Sequence, residues 1–321
     1  MGWQGRPGLP GCTGRRSARP DDPVPNEQQF HQTAAGRRLC YAEYGAPAGT
    51  PLFYFHGWPS SRFQARLLDA PAKERGLRVI ATDRPGIGRS DPQPGRRLRD
   101  WPPLVAELAD RLGLERFLCM GVSGGGPYSL ACAASLPERV RAASIISGAP
   151  PLRDFPDRSE LMFPYRALLA MRPAAALLMP PLLPAIRAIS QQDPDHIPLR
   201  WVLGWLSDVD RRAVASRPGL FRVLTESFHE GVAQGVPPVV ADADIYTHDW
   251  EIDYHAIETP VDFWHGALDH NLPLSMVKEL ADRIPSARVH WIADEGHYSL
   301  PLNRDGEILD SLLGLTAGSA N

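Results

Sequence analysis

The string Gly121-Val122-Ser123-Gly124-Gly125 follows the apolar run 117–120 at once and precedes a stretch of small residues. A G-x-S-x-G string between a strand and a helix suits a nucleophilic serine. A serine on a sharp strand-to-helix turn leaves no room for neighbouring side chains. Glycine removes that collision and tolerates unusual backbone angles. The turn lifts the hydroxyl above the sheet, and the new helix points its amino end at charge that develops during attack. A glycine-rich turn cradling a dinucleotide is the alternative, but these glycines are not in G-x-G-x-x-G register at a first βα unit.

Serine near neutral pH needs a base, and the base needs an orienting carboxylate. His297 stands in Ala293-Asp294-Glu295-Gly296-His297-Tyr298, between the last expected strand and the last helix, where Gly296 frees the loop to turn. Asp269 stands in His265-Gly266-Ala267-Leu268-Asp269, just past the penultimate strand. The order Ser123, Asp269, His297 is that of a strand-edge triad. The other reading of Asp269 is a turn or helix-capping aspartate. Asp294 and Glu295 are rivals for the acid but lie too close in sequence to His297 to face it readily. Asp154 and Asp157 are further rivals, at the exit of an earlier strand.

Attack on a carbonyl also needs two N–H donors for the oxyanion. Gly124 is expected to supply one through its backbone. The main chain of Trp58, in His56-Gly57-Trp58-Pro59, is expected to supply the other. In that loop His56 reads as a structural histidine rather than a second base. Gly57, Gly121 and Gly125 support the turns, and Asp83 anchors the Arg84-Pro85-Gly86 turn. With such chemistry no cofactor is required. No HExxH pair or grouped Cys and His ligands occur, so no metal is expected.

The elements that must hold these groups follow from periodicity. Two short strands over 28–45 turn near Gly36, and further strands are expected at 52–55, 77–81, 117–120 and 140–147. A helix at 101–112 and another ending near 135 alternate with them. Such alternation predicts a mainly parallel sheet with helices on both faces. Residues 151–245 break the rhythm with proline-interrupted helical segments near 160–171, 197–207 and 219–233. Strands at 260–264 and 287–292 and helices at 273–284 and 305–315 restore it. The expected organisation is a disordered leader (1–27), a first core part (28–150), an inserted helical lid (151–245) and a second core part (246–321).

The 321 residues, 43% apolar and 22% charged, suit one large domain with an insertion. A net charge of -3 gives no reason to expect nucleic acid as partner. Cys12, Cys40, Cys119 and Cys132 form no CxxC pair and read as free thiols. Residues 1–27 lack a hydrophobic segment of signal-peptide length. The apolar stretch 173–186 holds four prolines and is too short to cross a bilayer. The expected location is therefore cytoplasmic, with no membrane span, and the oligomeric state is left open.

Taken together, the motifs resemble the α/β-hydrolase superfamily, particularly its lidded esterase and peptidase-like members. His56-Gly57-Trp58-Pro59 is similar to the family's H-G-x-P oxyanion loop, and 83–90 to its D-x-x-G-x-G-x-S loop. Residues 121–125 resemble its nucleophile elbow, His265-Gly266 with Asp269 its acid turn, and Gly296-His297 its base loop. The resemblance covers about 28–315. It implies a serine hydrolase acting on a small, apolar acyl substrate, with water as the second reactant. Epoxide hydrolases and haloalkane dehalogenases of this family use an aspartate where this chain has Ser123. Carbon–carbon bond hydrolases, aminopeptidases, haloperoxidases and acyltransferases share the serine triad and stay open, as does a noncatalytic ligand receptor. Gly124-Gly125-Gly126-Pro127 departs from the bulky residue usual after the nucleophile.

Overall fold

The computed structural model describes residues 26–192, 203–216 and 218–317. The described residues form one eight-stranded sheet: β1 Gln29–Gln32, β2 Arg38–Gly45, β3 Thr50–Phe55, β4 Leu77–Thr82, β5 Phe117–Val122, β6 Val140–Ile146, β7 Val261–Gly266 and β8 Ala287–Ile292. Their order is 1-2-4-3-5-6-7-8, with β1, β2 and β4 paired antiparallel and all other pairs parallel. From β3 the chain first steps to β4 on one side, then returns past β3 to β5 on the other. This reversal opens a crevice at the carboxyl ends of β3 and β5, where ligands bind in such sheets.

Alternation along the central strands builds two cores. Phe53, Phe55, Phe117 and Cys119 face one side, with helices α2 (Trp101–Arg111) and α3 (Gly126–Ser135). Leu52, Tyr54, Leu118 and Met120 face the other, with helix α1 (Asp69–Glu74). β5 is buried on both faces, which explains its uninterrupted apolar sequence. Phe53 packs edge-on against Phe117 at 4.8 Å, and Trp101 lies edge-on to both Phe55 and Tyr128 at 5.5 Å. Cys40, Cys119 and Cys132 are buried free thiols, and Cys12 lies outside the described residues.

Between β6 and β7 the described residues form helices and turns: α4 Phe163–Leu178, α5 Leu183–Ser190, α6 Asp208–Ala215, α7 Pro218–Gly231 and α8 Val236–Asp244. α4 outruns the expected 160–171, because it continues through Pro173 with one backbone bond fewer instead of ending there. The helix expected at 197–207 falls partly outside the described residues. Within its described part Leu203 is helical, the chain turns at Leu203–Leu206, and the next helix starts at Asp208, capped by Ser207. α8 was not evident in the sequence, since two prolines and two aspartates interrupt its apolar pattern. Helices α9 (Leu274–Asp282), α10 (Ser299–Asn303) and α11 (Asp305–Ala317) complete the chain. Among the described residues no helix is long and apolar enough to cross a membrane.

One buried charge cluster ties α8 to the core. Asp242 is fully buried and accepts from Arg84 Nε and Nη2, from Arg96 Nη2 and from Tyr128 Oη. Burial works against the Asp242 anion, but the two guanidiniums hold its carboxyl far below the usual carboxylate range. Removing one member of such a cluster leaves uncompensated buried charge. Asp242→Ala is therefore expected to lower unfolding stability by about 3–5 kcal/mol in urea titration. Removing the exposed pair Arg153–Asp249 should cost under about 1 kcal/mol in the same assay.

Candidate active site

Ser123 sits at the end of β5 with φ +53°, in the left-handed region that a residue with a Cβ seldom occupies. Val122 before it is still extended, and a single 3₁₀ turn then leads into α3. Two glycines make the turn possible. A Cβ on Gly121 would lie 2.3 Å from Gly125 O, and one on Gly125 would lie 2.0 Å from Phe55 O. The chain is thus bent back on itself and pressed against the end of β3.

His297 and Asp269 lie on the loops after β8 and β7. Backbone bonds join these loops, from Ala267 N to Ile292 O (2.8 Å) and from Leu268 N to Glu295 O (2.9 Å). Asp269 Oδ2 is 2.7 Å from His297 Nδ1, and His297 Nε2 is 3.0 Å from Ser123 Oγ. Oδ1 of Asp269 accepts from the backbone amides of Asn271 (2.8 Å) and Leu272 (3.0 Å). Burial would raise the Asp269 carboxyl, but His297 and these donors hold it below its ordinary value. As an ionised carboxylate it only accepts, so His297 Nδ1–H must donate to it. Nε2 is then left as the acceptor for the Ser123 hydroxyl. Burial likewise pushes the His297 imidazole down, but Asp269, joined by Asp210, more than offsets this and the net direction is up.

The rival acids lie elsewhere. Asp294 is exposed and 3.7 Å from Arg304, and Glu295 accepts from Asn303 Nδ2 at 3.1–3.2 Å. Asp154 pairs with Arg283, and Asp157 accepts from Ser159 N.

The loop after β3 runs alongside the serine turn. Trp58 N lies 3.1 Å from where a Gly124 Cβ would stand. Among the described residues neither amide, Trp58 or Gly124, has a hydrogen-bond acceptor, whereas Gly57 N donates to Gln64 Oε1 (2.7 Å). Arg84 fixes the loop by donating to His56 O (2.6 Å) and Gly57 O (3.1 Å). His56 is buried, and burial together with Arg84 pushes its imidazole well below its ordinary value. The neutral ring therefore carries its proton on Nδ1 and donates to Gly57 O (2.8 Å), a structural bond. Asp83 is buried and accepts from Arg62 N (2.8 Å) and Arg89 N (3.1 Å), which secures the 83–90 turn.

Three groups at the site were not singled out in the sequence. Tyr246 Oη donates to Gly124 O (3.0 Å). Asp242 holds Arg84, and through it the 56–57 carbonyls. Asp210, on α6, accepts from backbone amides next to His297. The only local signal for Asp210 was the capping pattern Ser207-x-x-Asp210, which marks a helix start and no more.

Ser123 opens into two cavities. One of about 370 Å³ contains His297 and is walled largely by apolar side chains such as Leu220, Leu224, Phe228 and Leu302. One of about 80 Å³ lies on the Gly124 side, against Leu152, Leu161, Leu169, Leu272 and Tyr246, and does not include His297. Trp58 and Tyr165 border both.

The model of the alpha/beta hydrolase fold family matches residues 50–303. The chain belongs to that family. Among curated proteins, this alpha/beta hydrolase is 35% identical over 122 residues to the non-heme chloroperoxidase of Streptomyces lividans, across 37% of this chain and 44% of that protein. It is 33% identical over 119 residues to haloalkane dehalogenase 2 of Mycobacterium tuberculosis, across 36% of this chain and 40% of that protein. The matches thus span less than half the length of either relative. Among solved structures, bromoperoxidase from Bacillus anthracis superposes with a TM-score of 0.68 at 18% identity, covering 90% of this chain and 100% of that one. That likeness concerns the fold.

A Cβ at position 124 would meet Tyr246 Oη at 2.4 Å and Trp58 Cβ at 2.8 Å. Gly124→Ala should therefore displace the two free amides; with the oxyanion role proposed for them below, kcat should fall by about 10²-fold, the scale of losing one such donor. Adding Tyr246→Phe to Gly124→Ala removes the nearer obstacle, and kcat should partly recover in steady-state assays.

Proposed function

We propose that this chain is a serine hydrolase that cleaves uncharged, apolar carboxylic esters through an acyl-enzyme. The observation that carries the reading is the continuous hydrogen-bonded line from Asp269 through His297 to Ser123 Oγ, at 2.7 and 3.0 Å, ending beside two unoccupied amide donors. In this mechanism His297 Nε2 takes the Ser123 proton while Oγ bonds to the ester carbonyl carbon. Trp58 N and Gly124 N donate to the resulting oxyanion. As the intermediate collapses, His297 gives its proton to the departing alkoxide, leaving an acyl-serine and an alcohol. Water then loses a proton to His297, adds to the acyl carbon and releases the acid with Ser123 restored. The segment 151–245 acts as a lid, and its described helices supply much of the apolar wall of the site.

The cavities support an assignment of substrate halves. The leaving oxygen must reach His297, so the alcohol part belongs in the larger cavity, which contains that residue. The acyl part belongs in the smaller cavity beside Gly124. Its roughly 80 Å³ admits a short acyl group, whereas the larger space admits a bulky apolar alcohol. Burial of such a group contributes roughly 25 cal/mol per Å².

A fluorophosphonate probe should label the wild-type chain and leave Ser123→Ala unlabelled; equal labelling of both would refute the nucleophile. Asp269→Asn should lose about 10⁴-fold in kcat, because the imidazole loses its fixed tautomer. In a matched ester panel, acetates of bulky apolar alcohols should be turned over faster than methyl esters of long-chain acids. The reverse preference would exchange the two assignments.

A further inference from the structure

Asp210 takes no part in the proton relay, yet it is built into the base loop. It is fully buried, and its two oxygens accept four hydrogen bonds. Oδ2 accepts from His297 N (3.0 Å) and Ser207 Oγ (2.8 Å), and Oδ1 from Tyr298 N and Ser299 N (both 2.8 Å). Three consecutive amides, beginning with that of His297, therefore converge on one carboxylate that comes from α6. Among the described residues no Arg, Lys or His forms an ion pair with it. Gly296 makes room for the contact, since a Cβ there would lie 2.5–2.6 Å from both Asp210 oxygens and from Ser207 Oγ.

We propose that Asp210 is a positioning residue, through which the helical segment between β6 and β7 fixes the backbone of His297 and places a second negative charge beside its imidazole. The proposal rests on the reading of His297 as the base. A backbone amide held at 3.0 Å leaves the attached side chain little freedom to drift, so the 3.0 Å gap from Nε2 to Ser123 Oγ depends on α6 as well as on β8. The base is thus fully seated only while α6 is docked. The lid then contributes to proton transfer as well as to the walls of the cavity.

The electrostatic part has a definite sign. The charged groups facing His297 are Asp269 from the β7 loop and Asp210 from α6. Nearby His265 is buried and kept neutral, pushed below its ordinary value by burial. The phenols of Tyr165 and Tyr298 are raised by burial, that of Tyr298 to about 12, and stay uncharged. Both carboxylates favour the imidazolium. Removing the charge at 210 makes His297 easier to deprotonate, so the acid limb of kcat/KM must move to lower pH.

The test compares Asp210→Asn with wild type, using Asp208→Asn, an exposed carboxylate on the same helix, as control. Thermal unfolding and far-UV circular dichroism check that each variant is folded. Asp210→Asn keeps the side-chain volume but turns an NH₂ towards at least one amide donor. The expected result is a kcat lowered by about 10- to 100-fold, the scale of a misplaced catalytic group, with KM for a p-nitrophenyl ester within about twofold and the acid limb moved to lower pH. Asp208→Asn should leave both unchanged. A folded Asp210→Asn with wild-type kcat overturns the proposal. So does a loss of kcat with an unmoved acid limb, which would mark a merely structural contact. Turnover that survives His297→Ala would instead refute the base on which the proposal rests, whatever Asp210→Asn does.

Discussion

A carboxylate taken out of water must be surrounded by donors, because its desolvation otherwise costs several kcal/mol. The end of the sheet that carries Ser123 and His297 is organised around three such groups, Asp269, Asp210 and Asp242, each met by a different kind of donor. Asp269 receives two backbone amides and an imidazole. Asp210 receives three backbone amides and a hydroxyl. Asp242 receives two guanidiniums and a phenol. These demands connect the loops. The first joins the ends of β7 and β8, the second joins α6 to the His297 loop, and the third joins α8 to the Arg84 turn and thereby to the carbonyls of His56 and Gly57. Two of the three carboxylates come from the segment between β6 and β7.

The same end of the molecule is also shaped by crowding. Ser123 is held in a left-handed conformation because β5 must reverse into α3 within a single turn, directly against the end of β3. Backbone strain of this kind persists only where the surroundings over-determine it. Here the surroundings are Gly121 against Gly125, Gly125 against Phe55 and Gly124 against Trp58. The contact between Gly124 and Trp58 brings the two amide donors into one pocket. Tyr246 then takes up the Gly124 carbonyl, so the peptide that follows Gly124 is oriented from the side of the helical segment as well as by the turn. The buried Tyr246 ring adds to an apolar surface around a few polar atoms, the usual makeup of a small-molecule site.

What the sequence made legible was whatever is encoded locally. The strands at 117–120 and 287–292, the turn glycines and the position of Ser123 follow from runs and spacings within a dozen residues, and the family resemblance drew on the same strings. The mainly parallel sheet with helices on both faces, expected from the alternation of strands and helices, is the observed one. The helical segment was less legible. Prolines normally end a helix, yet Pro173 lies within α4, and α8 carries two more in its first turn. Tertiary packing overrides local propensity there. Asp210 and Asp242 could not be read at all. Apart from Ser207, their partners are 87–89 and 114–158 residues away, and an aspartate in a helical stretch looks like any solvated one until the fold closes over it.

The two carboxylates of the helical segment differ in what they would leave behind. Asp242 and its arginines form a self-contained charge cluster. If all members were exchanged for apolar residues of similar volume, no backbone group other than the His56 and Gly57 carbonyls would lose a partner, and such exchanges are often neutral for stability. Asp210 permits no such exchange. Its donors are peptide N–H groups, which cannot be mutated away, and an apolar residue at 210 would strand three of them in the interior at about 1–3 kcal/mol each. The loop would have to remodel to find water or other acceptors, and His297 would move with it. The position of His297 is therefore written partly into a side chain of the helical segment. A rearrangement that lifted α6 would withdraw the acceptor from three adjacent amides at once, so the seating of the His297 loop and the docking of α6 are tied to the same contact.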